Sequence, residues 1–278
     1  MRKLAIGTVV SGALALSALA VPAAQAATPD LVFADVVVNN GKTIVVGTTN
    51  AVTVPVTYTL TRPSDLTIDY ENNAAGVLLY RGSLATFENE LESDASPACT
   101  TTATTDTTVT ESCSDTLVID PSFGDLFEAA DATTWNVGGF YGQVASDLDD
   151  SDDKVSFEYG FAAWGNKGTA KIQRAAKLTA NASPEPVKKG RTITVSGKLT
   201  RANWETGSYT GYVSQKATLQ FRAKGSDTYS TVKTVTSSTG GSLKSTVTAS
   251  KDGYYRYVFA GTTTTAAAKA TGDYIDVQ

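Results

Sequence analysis

The densest group of carboxylate side chains in the sequence is an acidic run at 147–153, which reads DLDDSDD. Calcium prefers a shell of oxygen ligands, and short loops with aspartates at alternate positions supply such a shell. The run has that alternation, and a glutamate stands at the twelfth place counted from its first aspartate. The candidate calcium ligands are therefore Asp147, Asp149, Ser151, Asp153 and Glu158.

Two features of this run count against an EF-hand. Asp152 stands where that loop needs a glycine for its sharp turn. The residues at 155–161 alternate between apolar and polar, which predicts a strand and not the flanking helix of an EF-hand. The alternative interpretation is a solvated acidic hairpin loop.

A second group of candidate binding residues is cationic and lies in the C-terminal part of the chain. Five side chains are expected to point outward from strands there: Lys198, Lys216, Arg222, Lys233 and Lys244. Residues 171–278 contain 16 basic and six acidic side chains, and a domain with such an excess of positive charge attracts polyanions. The expected partners are anionic cell-wall or extracellular polymers, and the alternative is that the lysines only keep the domain in solution. No motif of RNA or DNA recognition is present, so specific nucleic-acid recognition is not expected.

Catalytic chemistry is poorly represented in the sequence. The chain has no histidine, which excludes the common catalytic triads and histidine-ligated metals, and two cysteines cannot build a four-thiolate zinc site. No nucleophile elbow, P-loop or dinucleotide fingerprint occurs. We therefore expect no enzyme, and no cofactor other than the candidate calcium. A polysaccharide hydrolase that uses unidentified carboxylates is the alternative.

The tryptophans raise one further binding hypothesis. Trp204 lies in the polar stretch RANWETGSYTGY, together with Tyr209 and Tyr212. Exposed aromatic rings in such a loop would suit contact with a sugar, and packing in a sandwich core is the alternative.

Residues 1–26 have the pattern of a secretory signal peptide. Arg2 and Lys3 precede an apolar run at 4–21, and Ala24-Gln25-Ala26 fits a cleavage site. No other apolar stretch is long enough to span a membrane, so we expect a secreted, extracellular protein. Because that compartment is oxidising, Cys99 and Cys113 are expected to form a disulfide.

The net charge of −5 conceals a division along the chain. Residues 27–170 contain 22 acidic and five basic side chains, whereas residues 171–278 contain six acidic and 16 basic ones. A change of composition this large predicts a domain boundary. We expect an acidic domain at 27–170 and a basic domain at 171–278, whose charges of −17 and +10 would favour association between them.

Both halves have the alternation of half-buried strands. Residues 52–60 alternate apolar and polar side chains, and Pro55 predicts an edge position or a bulge for that strand. The one helix candidate is 122–130. The second half predicts seven strands separated by glycine-containing turns, the pattern of an immunoglobulin-like sandwich. The predicted strands lie near 176–181, 191–199, 215–223, 229–236, 242–249, 253–260 and 271–277. The expected fold is therefore all-β, with two tandem β-sandwich domains after the signal peptide.

Four stretches of the mature chain carry a resemblance to a known group. The sequences at 177–212 (KLTANASPEPVKKGRTITVSGKLTRANWETGSYTGY), 219–225 (LQFRAKG) and 252–261 (DGYYRYVFAG) resemble the C-terminal immunoglobulin-like domain of small secreted actinobacterial proteins. The stretch at 36–66 is similar to the N-terminal β domain of that group. The resemblance implies a secreted protein of two β domains. It implies no activity and no catalytic residues.

Overall fold

The chain is built from β-strands. A computed structural model describes residues 28–93, 95–143 and 161–278, and within these ranges the regular structure consists of strands and three short 3-10 helices. The strands are β1 (Val32–Val38), β2 (Ile44–Val46), β3 (Val52–Pro63), β4 (Asn73–Ser83), β5 (Thr86–Leu91), β6 (Ala98–Thr104), β7 (Thr108–Ile119), β8 (Thr134–Gln143), β9 (Ala162–Arg174), β10 (Ala176–Leu178), β11 (Asn181–Ser183), β12 (Thr192–Asn203), β13 (Ser208–Gly211), β14 (Lys216–Ala223), β15 (Ser230–Thr236), β16 (Ser242–Thr248), β17 (Gly253–Phe259), β18 (Ala268–Lys269) and β19 (Asp273–Ile275). The 3-10 helices are Asn39–Gly41, Ala129–Asp131 and Thr239–Gly241. The predicted all-β class is confirmed.

The chain forms two compact units. The first contains the described residues of Met1–Lys42, Thr53–Val118 and Trp135–Ala170. The second contains Thr43–Val52, Ile119–Thr134 and Lys171–Gln278. Two short segments from the acidic part of the sequence therefore belong to the same unit as the basic part.

Two sheets run through the first unit. Their strand orders are β1-β3-β7-β6 and β2-β9-β8-β4-β5, and β2 with the end of β9 lies in the second unit. Phe33 of β1 packs 5.7 Å from the ring of Trp164 in β9, so the two sheets face each other across an apolar core. Gly139 makes this approach feasible, because a Cβ atom there would overlap the ring of Phe33.

The second unit is an antiparallel sandwich. In one sheet β12 pairs with β10, β11, β13 and β16, and the other sheet has the order β15-β14-β17 with β18 and β19 on the far side of β17. Strands β10–β12 and β16 thus lie in one sheet, and β14, β15 and β17–β19 lie in the other. This is the division of an immunoglobulin-like sandwich in which the strand after the third main strand stays in the third strand's sheet. The core lies between the sheets, and the buried hydroxyl of Tyr257 in β17 donates to the carbonyl of Val195 in β12 at 2.8 Å.

The structure corrects two details of the sequence analysis. The strand that contains Pro55 is interior, between β1 and β7, so the predicted edge position is wrong, although its pairing with β1 does contain a register shift. Pairing with β1 ends at Val56, before the proline is reached, so Pro55 is not needed as a hydrogen-bond donor to that strand. The helix candidate at 122–130 is wrong, since regular structure in that segment begins at the 3-10 turn Ala129–Asp131.

Candidate functional site

The second unit distributes the five predicted polyanion-binding side chains over several surfaces. Lys198 and Lys244 are exposed on the outer face of the β12 sheet, where register places Ser196 opposite Lys244. Lys216 begins β14, at the other end of that strand from Arg222. Lys233 stands opposite Leu219, and its Nζ atom donates to the carbonyl of Thr246 at 3.0 Å. The five cations therefore do not form one patch.

Arg222 instead belongs to a ladder of cations and aromatic rings, which we call the Arg–Tyr ladder. Arg256 lies 3.5 Å from the ring centroid of Tyr229, and Arg222 lies 5.4 Å from that centroid. Arg222 is also 4.1 Å from the ring of Tyr254, whose centroid is 5.2 Å from that of Tyr274. Cation–π attraction and ring packing hold each of these side chains against the next.

Strand register builds this ladder. Arg222, Tyr254 and Tyr274 stand directly opposite one another across β14, β17 and β19, so they share the outer face of the sheet. Tyr229 comes from the connection between β14 and β15 and extends over this face. Its hydroxyl lies where a Cβ atom at position 272 would be, so Gly272 is required for the ladder to close.

The two guanidinium groups of the ladder keep most of their donors free of protein acceptors. Arg222 Nη1 donates to the carbonyl of Ser226 at 2.6 Å, and Arg222 also forms a side-chain hydrogen bond with Tyr229. Arg256 Nε donates to Gln220 Oε1 at 2.9 Å. Neither forms an ion pair with a carboxylate of the described residues. Each guanidinium carries five N–H groups in a planar fork, which matches the oxygens of carboxylates and phosphates.

An open cleft of about 490 Å³ adjoins the ladder, and we call it the lysine cleft. Lys224 connects the two, because its Nζ atom lies 5.6 Å from the ring of Tyr274 and its side chain lines the cleft. The lining residues are Lys189, Ala223, Lys224, Ser250, Lys251, Asp252, Val277 and Gln278. Three exposed lysines therefore surround this volume.

The carboxylate in the cleft wall is already engaged by the protein. Asp252 Oδ1 accepts the N–H of Val277 at 2.9 Å, and Oδ2 accepts the hydroxyl of Tyr274 at 3.0 Å and lies 3.4 Å from Lys224 Nζ. These hydrogen bonds lower the pKa of Asp252. The hydroxyl of Tyr274 and this carboxylate raise the pKa of Lys224. Asp252 thus holds the last strand and Lys224 in place, and the cleft keeps an excess of positive charge.

Most residues of this site were not identified from the sequence. Tyr254 and Arg256 occupy outward positions of β17, where Tyr255 and Tyr257 are buried, so the alternation in GYYRYVF contained the signal. Tyr229 lies in a connection that has no such alternation. Its place over the sheet depends on the tertiary fold, which the local pattern does not encode.

The structure also corrects the hypothesis of sugar contact at Trp204. This side chain is 5% exposed, its Nε1 donates to the carbonyl of Gly47 at 2.8 Å, and Arg174 lies 5.1 Å from its ring. Arg174 is itself 4% exposed, and its Nε and Nη2 atoms meet no hydrogen-bond acceptor among the described residues. Stacking on the indole and the negative charges of Glu205 and Asp131 offset part of the cost of burying this cation.

The remaining candidate sites have different outcomes. Cys99 and Cys113 are joined by a disulfide between paired positions of β6 and β7, as predicted. The signal peptide at 1–26 and the candidate calcium ligands at 147–153 and Glu158 lie outside the described residues. The described part of the chain brings together no group of three or more acidic or cysteine side chains able to hold a metal ion. None of its helices has the length and apolar character needed to cross a bilayer.

Comparison with known proteins gives solved structures alone. No model of a protein family matches the chain, and no curated protein matches it. The full ectodomain of mouse nectin-like molecule 4, with domains Ig1–Ig3, is 12% identical with a TM-score of 0.25, and the match covers 89% of this chain and 64% of that one. The adhesin InvE of Yersinia pseudotuberculosis is 13% identical with a TM-score of 0.27, at 88% and 58% coverage. The chain thus spans less than two thirds of the length of either structure.

Proposed function

We propose that the chain is a secreted, non-enzymatic binding module that contacts anionic extracellular polymers through its second unit. One observation carries this proposal: five cations converge on the Arg–Tyr ladder and the lysine cleft, where the carboxylate of the cleft wall is engaged by the protein. These cations are Lys189, Arg222, Lys224, Lys251 and Arg256. The extracellular location is supported by the signal-peptide pattern at 1–26 and by the disulfide.

The two parts of the site supply different interactions. The ladder holds its guanidinium groups against tyrosine rings, so that little side-chain entropy is lost when an oxyanion binds to their edges. The lysines of the cleft act as mobile point charges. A linear polymer with repeated oxyanions can reach both parts, because an unbroken series of contacts, each between a cation and a ring or between two rings and each of 3.5 to 5.6 Å, connects Arg256 to Lys224.

Polygalacturonate immobilised on a biosensor surface is the probe for this proposal. We expect the full chain to bind at low salt and to be released at high salt, because exposed charges are screened by ions. The exchange Lys189→Gln/Lys251→Gln should weaken binding about tenfold, which corresponds to about 1.4 kcal/mol. The polymer should keep its length during incubation, as expected for a non-enzymatic module.

The matched control is Lys198→Gln/Lys244→Gln. It removes the same charge from equally exposed positions on the outer face of the other sheet, and it should change the affinity little. Equal losses in both variants would mean that net charge alone drives binding and would overturn the assignment of the site. A wild-type chain that does not bind at low salt would overturn the proposed function.

A further inference from the structure

Strand β6 is an edge strand with unusual exposure. It is the last strand in the order β1-β3-β7-β6, so it pairs with β7 on one side and with no other described strand on the other. Each of its seven residues is exposed. Both faces of the strand therefore meet solvent. The exposed segment continues through the turn to Thr107.

This segment consists largely of threonine. The sequence ACTTTATTDTT at 98–108 contains one charged residue, Asp106, and its apolar side chains beside the bonded Cys99 are two alanines. Thr102 and Thr105 use their hydroxyls locally: Thr102 Oγ1 donates to the carbonyl of Thr110, and Thr105 Oγ1 lies 2.8 Å from Thr108 Oγ1.

The remaining hydroxyls of the segment have no such partner. Thr100, Thr101, Thr104 and Thr107 make no side-chain hydrogen bond with any described residue. Thr100, Thr101 and Thr104 are exposed secondary alcohols on the extended backbone of β6, a conformation that lies open to an enzyme active site, whereas Thr107 lies in the turn. The pairing of β6 with β7 has a bulge between Thr101 and Ala103, so Thr102 is an extra residue with no directly opposite partner. This agrees with the hydrogen bond that its hydroxyl makes to the carbonyl of Thr110.

An uncharged edge strand of high β-propensity needs cover, because its free N–H and C=O groups can pair with another chain. Addition of a partner strand normally gains specificity from apolar side chains that enter alternate pockets. This segment offers hydroxyls for covalent attachment and almost no apolar surface, so the chemistry favours attached sugars over a docked strand.

We propose that the hairpin formed by β6 and β7 is a site of O-glycosylation, with Thr100, Thr101 and Thr104 as the acceptors. A threonine oxygen attacks the anomeric carbon of an activated sugar-phosphate donor held by a glycosyltransferase. The new C–O bond forms as the bond to the phosphate leaving group breaks, and the hydroxyl proton passes to a base of that enzyme. The modification rests on export alone and is independent of polymer binding by the second unit.

The test uses the protein recovered from the culture medium of its source organism, so that export is already satisfied. After reduction and alkylation, cleavage at Glu92 and Glu111 gives a peptide of residues 93–111. Mass spectrometry with electron-transfer fragmentation should show whole sugar units on Thr100, Thr101 or Thr104. Thr102 and Thr105 should remain unmodified, because their hydroxyls are engaged.

Two variants made in the same organism complete the experiment. Thr100→Val/Thr101→Val/Thr104→Val keeps the β-branched shape and should abolish the added mass. Thr231→Val/Thr234→Val/Thr236→Val changes the exposed strand β15 equally and should leave the added mass in place. An unmodified 93–111 peptide in the secreted wild-type protein overturns the proposal, as does sugar confined to Thr102 and Thr105.

Discussion

Single side chains of this protein organise backbone that no strand pairing reaches. Asp69 is an example, since its Oδ1 atom accepts the backbone N–H groups of Glu71 and Asn72 at 3.0 and 2.8 Å, and its Oδ2 atom accepts the side-chain amide of Asn72. The adjoining Tyr70 has a φ of 61°, a left-handed conformation that costs free energy in a residue with a side chain. One carboxylate thus holds the entry to β4.

The pH dependence of this turn follows from its hydrogen bonds. The amide and backbone N–H of Asn72, with Glu71, lower the pKa of Asp69 to about 2 from its ordinary 3.8. The lowered value means that the stabilisation is complete above the ordinary pKa and is lost as pH falls through about 2. Carbon-detected NMR titration should find this midpoint. Asn72→Ala should raise it, and a wild-type midpoint near 3.8 would contradict the assigned bonds.

The strands of the second unit show what local sequence predicts. Alternation and glycine turns located its main strands within a few residues, because buried and exposed positions repeat every two residues. The same rule pointed Lys233 outward, but this lysine stands opposite the buried Leu219 and so shares its face, and its Nζ atom reaches the carbonyl of Thr246. Short β13 and the position of Tyr229 depend on tertiary contacts, so sequence alone did not reveal them.

The hairpin formed by β6 and β7 also gives a stability prediction at the level of elements. The disulfide closes a loop with a sequence separation of 14, which restricts the unfolded chain by about 3 kcal/mol in the chain-entropy model. Cys99→Ser/Cys113→Ser should lower the urea midpoint and raise the m value, because the unfolded state expands. Reduced wild-type protein should behave like the variant. An unchanged midpoint would show that the cross-link adds no stability.

The whole molecule combines a net charge of −5 with a part at 171–278 that carries +10. Electrostatic fields of opposite sign on one chain let it bind both polyanions and polycations, whereas the net charge alone would predict repulsion from polyanions. The described cations of the site lie in the second unit, so binding to anionic polymers is a local property.

This division predicts behaviour on ion exchangers. At pH 7 and low salt the full chain should be retained by both a cation and an anion exchanger. Lys189→Gln/Lys251→Gln should elute earlier from the cation exchanger, because the lysine cleft loses two charges. Its retention on the anion exchanger should not fall. Passage of the wild-type chain through the cation exchanger would show that the acidic part governs the whole molecule.

The cross-strand position of the disulfide also bears on survival among extracellular proteases. Proteases bind their substrates as extended chains, and β6 presents such a chain to solvent on both faces. A cut at any bond from 99 to 113 leaves the two fragments joined through the Cys99–Cys113 bond, and β7 remains paired within its sheet. The protein can therefore be cut in the exposed strand β6 without separating into two fragments, and the cut becomes visible only after reduction.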